Sequence, residues 1–407
     1  MDRALLAALL VTLSLVGTAS AGPASPQDPV APQVDNGGTA DVEMLGLTGT
    51  TRADVATQGL DVSTALAAER SATAAELDRR ALRITFERTA GDQAQRELLF
   101  EAATDVEIAI SELGAERRTV RQGYVNDTTD TERYVRTQAL MGVRADHLRE
   151  DLAVIETLAG DVSGLSMRSR VESLRVVMTG SAGPVTDRVR GAVRGASAPA
   201  TVYVSASADG RVLSTVTSGQ YVREASRTDL WTPDSTGNIG IDQAAERMAE
   251  LYPVAFGFNS SRNQGRGIAT HGAGTYEITI QIQEGTIVAY LDADTGNVFH
   301  EVQRFDLAAI QPGDPVVAAD NGTRLVVNRT HDGGPLRIAT YDNATDATLD
   351  ARVLVGETWY RTGSDGTVWA VAPAGATRIT AVAESGNVST TVNPYRPTLV
   401  EMNGDVG

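Results

Sequence analysis

The sequence contains no cysteine and no lysine. Without cysteine the chain forms no disulfide, no thiolate metal site and no thiolate nucleophile, so its stability rests on packing alone. Without lysine it completes no Walker-A phosphate loop, no kinase-type phosphate contact and no Schiff base with a cofactor. These absences exclude whole classes of enzyme, and the sequence accordingly predicts neither a catalytic residue nor a cofactor.

Acidic residues outnumber basic residues by a wide margin. Aspartate and glutamate total 52 against 35 arginines, which gives a formal net charge of -17. In dilute solution these charges repel one another, whereas in molar salt the Debye length falls to about 3 Å and distant carboxylates no longer interact. We therefore expect a halophilic protein, since codon use that favours arginine explains the missing lysine but not the acid excess. Nucleic acid and anionic membranes are not expected as partners, because the chain lacks a basic footprint.

The first residues have the organisation of a secretory signal peptide. Arg3 precedes a largely apolar stretch over residues 4–16, and Ala19, Ser20 and Ala21 supply the small residues that a signal peptidase accepts. We predict cleavage after Ala21, with residues 1–21 as the signal peptide. A retained anchor is the alternative, but the stretch is shorter than the roughly 20 apolar residues of a membrane span. No later segment is long and apolar enough, so we expect a protein that is secreted or held at the cell surface.

Six Asn-x-Ser/Thr triplets mark candidate glycosylation sites. All fall in stretches that the pattern predicts to be turns or loops, where a glycan is tolerated. They begin at Asn126, Asn259, Asn321, Asn328, Asn343 and Asn387. The triplets agree with the prediction of export.

Composition and periodicity divide the remaining chain into regions. A Pro- and Gly-rich segment predicts a flexible leader over residues 22–63, and helix formers then predict a helical domain over residues 64–197. Apolar residues at heptad offsets run from Leu99 to Val120 and from Tyr134 to Ala159. These two stripes predict an antiparallel helical hairpin, either in a compact bundle or in an extended rod, and their length favours the bundle. Shorter helices are expected near residues 167–178 and 184–193.

A polar turn over residues 123–130 separates the two long helices. Thr129 and Glu132 have the spacing of a capping box, which predicts that the second long helix begins at Thr129. Asn126 is expected at the tip of the hairpin.

Periodicity changes from helical to alternating at residue 198. Three short strands form a meander, a helix follows near residue 242, and alternation resumes over residues 276–283 and in two further strands up to residue 303. This pattern predicts an α+β domain over residues 198–306, in which one helix covers one face of an antiparallel sheet. Residues 256–274, rich in Gly, Ser and Asn, are expected to be a mobile loop.

Two runs carry family resemblances. Residues 241–303, with "IDQAAERMAELYP" and "VAYLDADTGNVFHEVQ", resemble the PepSY family of small exported modules, known partly as inhibitory segments of secreted proteases. That resemblance implies no active residue.

Residues 311–395, which include "LRIATYDNATDATLDARVLVGETWYRTG", resemble Fn3-like and carboxypeptidase-regulatory-like β-sandwich modules. Trp359, Trp369 and Ile379 are expected in the core of this sandwich, and residues 396–407 form a tail. The order of modules is similar to that of exported haloarchaeal proteins of uncharacterised function. The fold class expected is therefore multidomain, with a helical hairpin or bundle, an α+β unit and an all-β sandwich.

Residues with catalytic or metal-binding chemistry are scattered. The sequence has no Gly-x-Ser-x-Gly elbow, and its histidines lack the spacing of a zinc protease; they are His147, His271, His300 and His331. A triad assembled from distant residues remains open. Asp292 and Asp294 alternate as oxygen ligands do, but an EF-hand needs glycine at its sixth position and glutamate at its twelfth, so a turn is favoured over a metal site.

Three functions are consistent with these features. The first is a non-enzymatic surface or secreted protein that acts through contacts with proteins or glycans. The second is an inhibitor or chaperone of a secreted protease, through the PepSY-like region. The third is an exported hydrolase.

Overall fold

The computed structural model describes residues 43–232, 237–257, 261–271, 274–311 and 313–400. All of them belong to one structural unit. The predicted signal peptide with Ala19 and Ala21, the first part of the predicted leader, Asn259 and residues 401–407 lie outside the described residues.

The N-terminal region is helical, as predicted. Its helices are α1 (Val62–Arg88), α2 (Asp92–Val125), α3 (Thr131–Gly160), α4 (Arg168–Val177) and α5 (Pro184–Val193). Helices α2 and α3 form the antiparallel hairpin expected from the heptad stripes, and the rings of Tyr124 and Tyr134 stack at 4.5 Å beside the turn. Helix α3 also packs against α1 and α5, so the hairpin is part of a compact bundle.

The start of α3 differs from the prediction by one residue. Asp130 is the N-cap, and its side chain accepts a hydrogen bond of 2.7 Å from the backbone N–H of Arg133. The capping box expected at Thr129 is therefore wrong. Aspartate at this position adds a negative charge near the positive end of the helix dipole, which threonine does not.

An eight-stranded antiparallel sheet forms the centre of the fold. Its strands follow the order β1-β2-β3-β4-β8-β7-β6-β5. They are β1 (Arg52–Gln58), β2 (Ala200–Ala206), β3 (Gly210–Thr217), β4 (Gln220–Arg227), β5 (Asn263–His271), β6 (Thr275–Ile282), β7 (Gly285–Asp292) and β8 (Val298–Asp306). Helix α6 (Ile241–Leu251) covers one face, as the alternating pattern predicted.

Two segments that the sequence predicted to be flexible belong to this sheet. Strand β1, within the predicted leader, pairs with β2 over seven residues, and β5, within the predicted mobile loop, pairs with β6 as the last strand at the other end. Both strands are poor in large apolar residues, and a sheet edge is satisfied by backbone hydrogen bonds that composition does not reveal.

Alternate side chains of the sheet enter different cores. On one face Met248 and Tyr252 of the α6 region pack against Ile278 and Ile280, and all four are fully buried. On the opposite face α2, α3 and α5 pack against β1 to β4. The helical region and the sheet therefore share a hydrophobic core. The division of the chain into a helical domain and an α+β domain by sequence did not predict this.

Two four-stranded sheets form the C-terminal sandwich. Their strand orders are β14-β11-β10-β9 and β13-β12-β15-β16, and both sheets contribute to one core. The strands are β9 (Pro315–Asp320), β10 (Thr323–Asn328), β11 (Pro335–Asp342), β12 (Arg352–Val355), β13 (Thr358–Arg361), β14 (Thr367–Val371), β15 (Thr377–Ala383) and β16 (Gly386–Val392).

The three residues predicted as sandwich core have different positions. Ile379 is fully buried between the two sheets, as expected. Trp359 is 47% exposed on the short edge strand β13, so its assignment to the core is wrong. Trp369 packs instead against the core of the large sheet. A tryptophan in an alternating strand carries the same pattern whether its face meets the other sheet, another domain or solvent.

Candidate functional site

A cleft of about 680 Å³ lies between the sandwich and the large sheet, and we call it the aromatic cleft. Trp359 and Tyr360 reach it from β13, and Trp369 reaches it from β14. The large sheet and the loops at its end supply four hydroxyl groups and one carboxylate, from Thr57, Thr201, Thr217, Ser218 and Asp306. Apolar side chains lie among them; these are Pro199, Val216, Leu307 and Ala308. The cleft thus joins aromatic rings to a wall of apolar side chains with a few polar groups, which is the usual composition of a ligand site.

The aromatic side chains are held in defined positions. The guanidinium carbon of Arg352 lies 4.3 Å from the centroid of the Trp359 ring, a cation–π contact that supports the exposed indole. Burial raises the pKa of Tyr360 to about 12, although its hydroxyl contacts Thr201. Tyr360 therefore stays neutral and able to donate a hydrogen bond. Exposed tryptophan supported in this way is typical of contact surfaces.

A second cleft, of about 710 Å³, lies between the helices and strands β6 to β8, where the helices leave the sheet uncovered. We call it the charged cleft. Both signs of charge line it: Asp146, Glu172, Asp187, Glu277, Arg149, Arg175 and Arg304. Asp146 already pairs with Arg149 at 3.0 Å and with Arg190, and burial raises the pKa of Asp187. Because both signs of charge line the cleft and some of them are already paired, the cleft favours neither an anionic nor a cationic ligand.

The arrangement nearest to a catalytic pair joins His300, which lines the charged cleft, to Ser226, which does not. The hydroxyl oxygen of Ser226 and Nδ1 of His300 are 2.9 Å apart. Among the described residues no carboxylate hydrogen-bonds to His300, and burial followed by the charge of Arg211 lowers its pKa to about 3. In a catalytic triad an acid stabilises the imidazolium that forms, whereas arginines destabilise it here. The pair is therefore a poor nucleophile and base.

Gly180 shapes this part of the charged cleft. It has a φ of +76°, and a Cβ at this position would lie 2.6 Å from the Ser226 hydroxyl and 3.0 Å from Nδ1 of His300. Glycine is therefore required both for the left-handed backbone and for the close approach of the loop to the sheet.

The four histidines do not meet. His271 and His300 line the charged cleft, and Nε2 of His271 lies 2.9 Å from Oε2 of Glu277. His147 faces Ser71 at 3.4 Å, and Nδ1 of His331 lies 2.9 Å from the carbonyl oxygen of Asp332. In the part of the chain that the structure describes, no three His, Asp or Glu side chains are arranged to hold a metal ion.

Asp292 and Asp294 lie in the turn between β7 and β8. The carboxylate of Asp292, fully buried, accepts the backbone N–H of Asp294 at 2.8 Å and that of Thr232 at 2.7 Å. The backbone N–H of Gly296 closes the turn on the Asp292 carbonyl at 2.8 Å. One oxygen of Asp292 therefore holds the turn and the other anchors it to the segment that contains Thr232, which agrees with the turn that the sequence favoured.

Five of the six candidate glycosylation sites lie in the described residues. Asn126, Asn321, Asn343 and Asn387 are exposed in turns or at strand ends. Asn328 is half-buried at the end of β10, and its side-chain nitrogen donates a hydrogen bond of 2.8 Å to the carbonyl of Gly313. A glycan is sterically simplest at the four exposed positions. The signal-peptide residues and Asn259 have no described position.

No described helix combines the length and the apolar composition that crossing a membrane requires.

Comparison with protein families divides the chain in three. Residues 314–390 match the archaeal fibronectin-III type-like domain, which confirms the Fn3-like prediction. Residues 202–311 match a family of unknown function (DUF7094), and residues 1–198 match a domain of unknown function (DUF7096). The resemblance of residues 241–303 to the PepSY family stays a prediction. Two domains of unknown function followed by an Fn3-like domain fit a non-catalytic domain protein.

No curated protein matches the chain. Among solved structures the chain is similar to the gamma-CGTase of the alkalophilic Bacillus clarkii, with 12% identity over 47% of this chain and a TM-score of 0.13. The match spans 25% of that enzyme. A similarity at this TM-score carries no argument about fold or activity.

Proposed function

We propose that the protein is a non-enzymatic exported protein of a halophile, secreted or held at the cell surface, that acts by binding another macromolecule. The observation that carries the proposal is the aromatic cleft, in which the Fn3-like domain places the half-exposed Trp359 opposite a wall that contains four hydroxyl groups and one carboxylate. The weak Ser226–His300 pair supports a function without catalysis.

A glycan is the ligand that the aromatic cleft fits best. The apolar face of a sugar ring stacks on an indole, while its hydroxyl groups exchange hydrogen bonds with groups such as Thr201, Ser218 and Asp306. A loop of a surface protein with an exposed aromatic side chain is the alternative occupant. Both belong to the expected class of partners, and the experiment below separates them.

The test measures binding of the full-length protein, at molar NaCl, to purified cell-surface glycans and to deglycosylated surface proteins. Trp359→Ala should weaken glycan binding at least tenfold, since a buried interface tryptophan contributes about 2 kcal/mol or more. Phe100→Ala is the matched control, because Phe100 is also 47% exposed but lies on α2, outside both clefts.

Binding to deglycosylated protein alone would assign the cleft to a protein partner. Equal affinities of Trp359→Ala and Phe100→Ala for every ligand would contradict the proposed role of the cleft.

Export and glycosylation are part of the same proposal. Mass spectrometry of the protein from its native culture should find an N-terminus at Gly22 and glycan masses at the exposed sequons Asn126, Asn321, Asn343 and Asn387. An intact N-terminus recovered from the cytoplasm would contradict export.

A second candidate function is regulation of a secreted protease through the central sheet. Strand β5 ends the sheet, no described strand pairs with its outer edge, and no aspartate or glutamate occurs between Glu250 and Glu277. An extended segment of a partner can add to such an edge as a further strand. Photochemical crosslinking at native salt, which needs neither a lysine nor a carboxylate in this segment, followed by mass spectrometry tests this function. A protease linked to residues 261–271 would support it, and links to surface-layer proteins or glycoconjugates alone would speak against it.

A further inference from the structure

Three arginines converge between the helical bundle and the central sheet. Arg117 and Arg121 lie one turn apart on α2, and Arg211 lies on β3; we call them the arginine cluster. Arg117 and Arg211 donate hydrogen bonds to the same oxygen, the carbonyl of Gly180, with Nη2 of Arg211 at 2.8 Å. Arg121 donates through Nε to the carbonyl of Ala208 at 3.0 Å. Two positive charges that share one acceptor are necessarily close together.

Negative charge within the cluster is insufficient. Among the described residues Glu224 is the single carboxylate that forms an ion pair with any of the three arginines, at 3.5 Å from Nη2 of Arg211. The same carboxylate accepts hydrogen bonds from Val185 N–H at 3.1 Å and from the Thr186 hydroxyl at 2.8 Å. Buried charges without compensation are strongly unfavourable.

The pKa values of groups in and near the cluster are shifted first by burial and then by these positive charges. Burial and then the charge of Arg211 lower the pKa of Arg117 to about 9. The pKa of Arg121 is lowered as well, chiefly by burial. His300, across Gly180, is kept neutral partly by Arg211 and Arg117.

The cluster also contains polar groups that lack a partner. Nε of Arg211, the hydroxyl of Tyr134 and the hydroxyl of Ser207 are buried and have no hydrogen-bond acceptor among the described residues. Tyr134 is fully buried, and the charges of all three arginines act on its hydroxyl group. Ser207 directly precedes Ala208, whose carbonyl accepts the hydrogen bond from Arg121. Nearly all buried donors in proteins are satisfied, so an acceptor is missing here.

We propose that a chloride ion binds in the arginine cluster and accepts hydrogen bonds from Nε of Arg211 and the hydroxyl of Tyr134. An anion supplies both things that the site lacks, a negative charge and an acceptor for several donors. We favour a small ion over phosphate or a carboxylic acid, because Arg121, Arg211 and Tyr134 are buried and none of them lines either cleft. A water molecule would accept hydrogen bonds but would leave the positive charge uncompensated.

The first test compares the thermal unfolding of the whole protein in sodium chloride and in sodium gluconate at equal concentrations. Chloride should raise the unfolding midpoint by several degrees in a saturable manner, because it binds the folded state alone. General effects of the two salts on hydration are removed by repeating both series with variants.

Tyr134→Phe removes one proposed ligand group without removing a hydrogen bond to protein. We expect it to weaken the apparent affinity for chloride at least tenfold, since a hydrogen bond from a neutral group to a charged ion is lost. Tyr124→Phe is the matched control, because Tyr124 is also fully buried and stacks on Tyr134, but the groups that act on its hydroxyl include Thr131 and Arg52 and none of the three arginines. This control should retain the wild-type response to chloride.

The second test places the ion directly. Crystals of the wild-type protein grown in sodium bromide should show an anomalous peak within hydrogen-bond distance of the Tyr134 hydroxyl and Nε of Arg211. A crystal without that peak would overturn the proposal, as would equal midpoints in the two salts or an equal chloride response of the two tyrosine variants. The wild-type crystal decides the matter even if Tyr134→Phe does not fold.

Discussion

Leu45 provides a sharp test of the tertiary structure, because it lies in the segment that composition predicts to be a flexible leader. Its side chain is fully buried in the core beneath α6. Its backbone N–H donates a hydrogen bond of 3.0 Å to the buried carboxylate of Glu301, and its carbonyl accepts one of 2.5 Å from Arg223. A flexible leader has none of these contacts.

Leu45→Ala should lower the free energy of unfolding by about 3 kcal/mol. Roughly 2 kcal/mol comes from the lost transfer of the side chain out of water, and the cavity left behind adds the rest, within the 2–5 kcal/mol typical of buried leucine. The backbone hydrogen bonds to Glu301 and Arg223 remain in the variant, so the effect isolates packing.

The assay is urea denaturation at a fixed molar concentration of NaCl, monitored by tryptophan fluorescence. Leu60→Ala is the matched control, since Leu60 lies in the same segment but is 67% exposed, and it should change stability by no more than about 0.5 kcal/mol. Equal stability of the two variants would refute the inclusion of this segment in the core.

Two further predictions concern the start of α3 and the buried histidine. Asp130→Ala should lower the free energy of unfolding by about 1 kcal/mol in thermal unfolding, because the hydrogen bond from Arg133 N–H to the cap is lost. Thr129→Ala should have little effect. A larger loss of stability in Thr129→Ala than in Asp130→Ala would support the capping box at Thr129 instead. The pKa of His300 is lowered to about 3 in the folded protein, so as pH falls below about 6.5 its ring becomes protonated in the unfolded chain but stays neutral in the folded one. His300 therefore contributes stability above pH 6.5 that is lost as pH falls towards 3, and NMR should show its ring neutral at pH 5; an ordinary titration near pH 6.5 would contradict its burial.

Local patterns predicted much of the secondary structure. The heptad stripes located α2 and α3, and the bounds expected for α5 agree with the helix Pro184–Val193. Alternation from residue 276 to residue 282 located β6 and the face of the sheet that α6 covers. These predictions succeeded because amphipathic periodicity is set by the helix or strand itself and is repeated over many residues.

Predictions failed where one side chain or a sheet edge had to be placed. Trp359 and Trp369 occupy similar alternating strands, yet one is exposed and the other packs on a neighbouring domain. Strands β1 and β5 show little hydrophobic pattern, because partners far along the chain hold them through backbone hydrogen bonds. The local sequence therefore predicts neither the exposure of a single tryptophan nor the pairing of an edge strand.

The sequence alone established the charge, the lack of cysteine and lysine, the Fn3-like module and most of the helices and strands, but not β1 or β5. Folding decided which of those elements share a core, and so brought Arg117 and Arg121 of α2 against Arg211 of β3 and opened the aromatic cleft beside Trp359. The physical reason is the distance along the chain between residues 117 and 211. Because of it, only the packing of the bundle on the sheet brings the two guanidinium groups to one carbonyl oxygen.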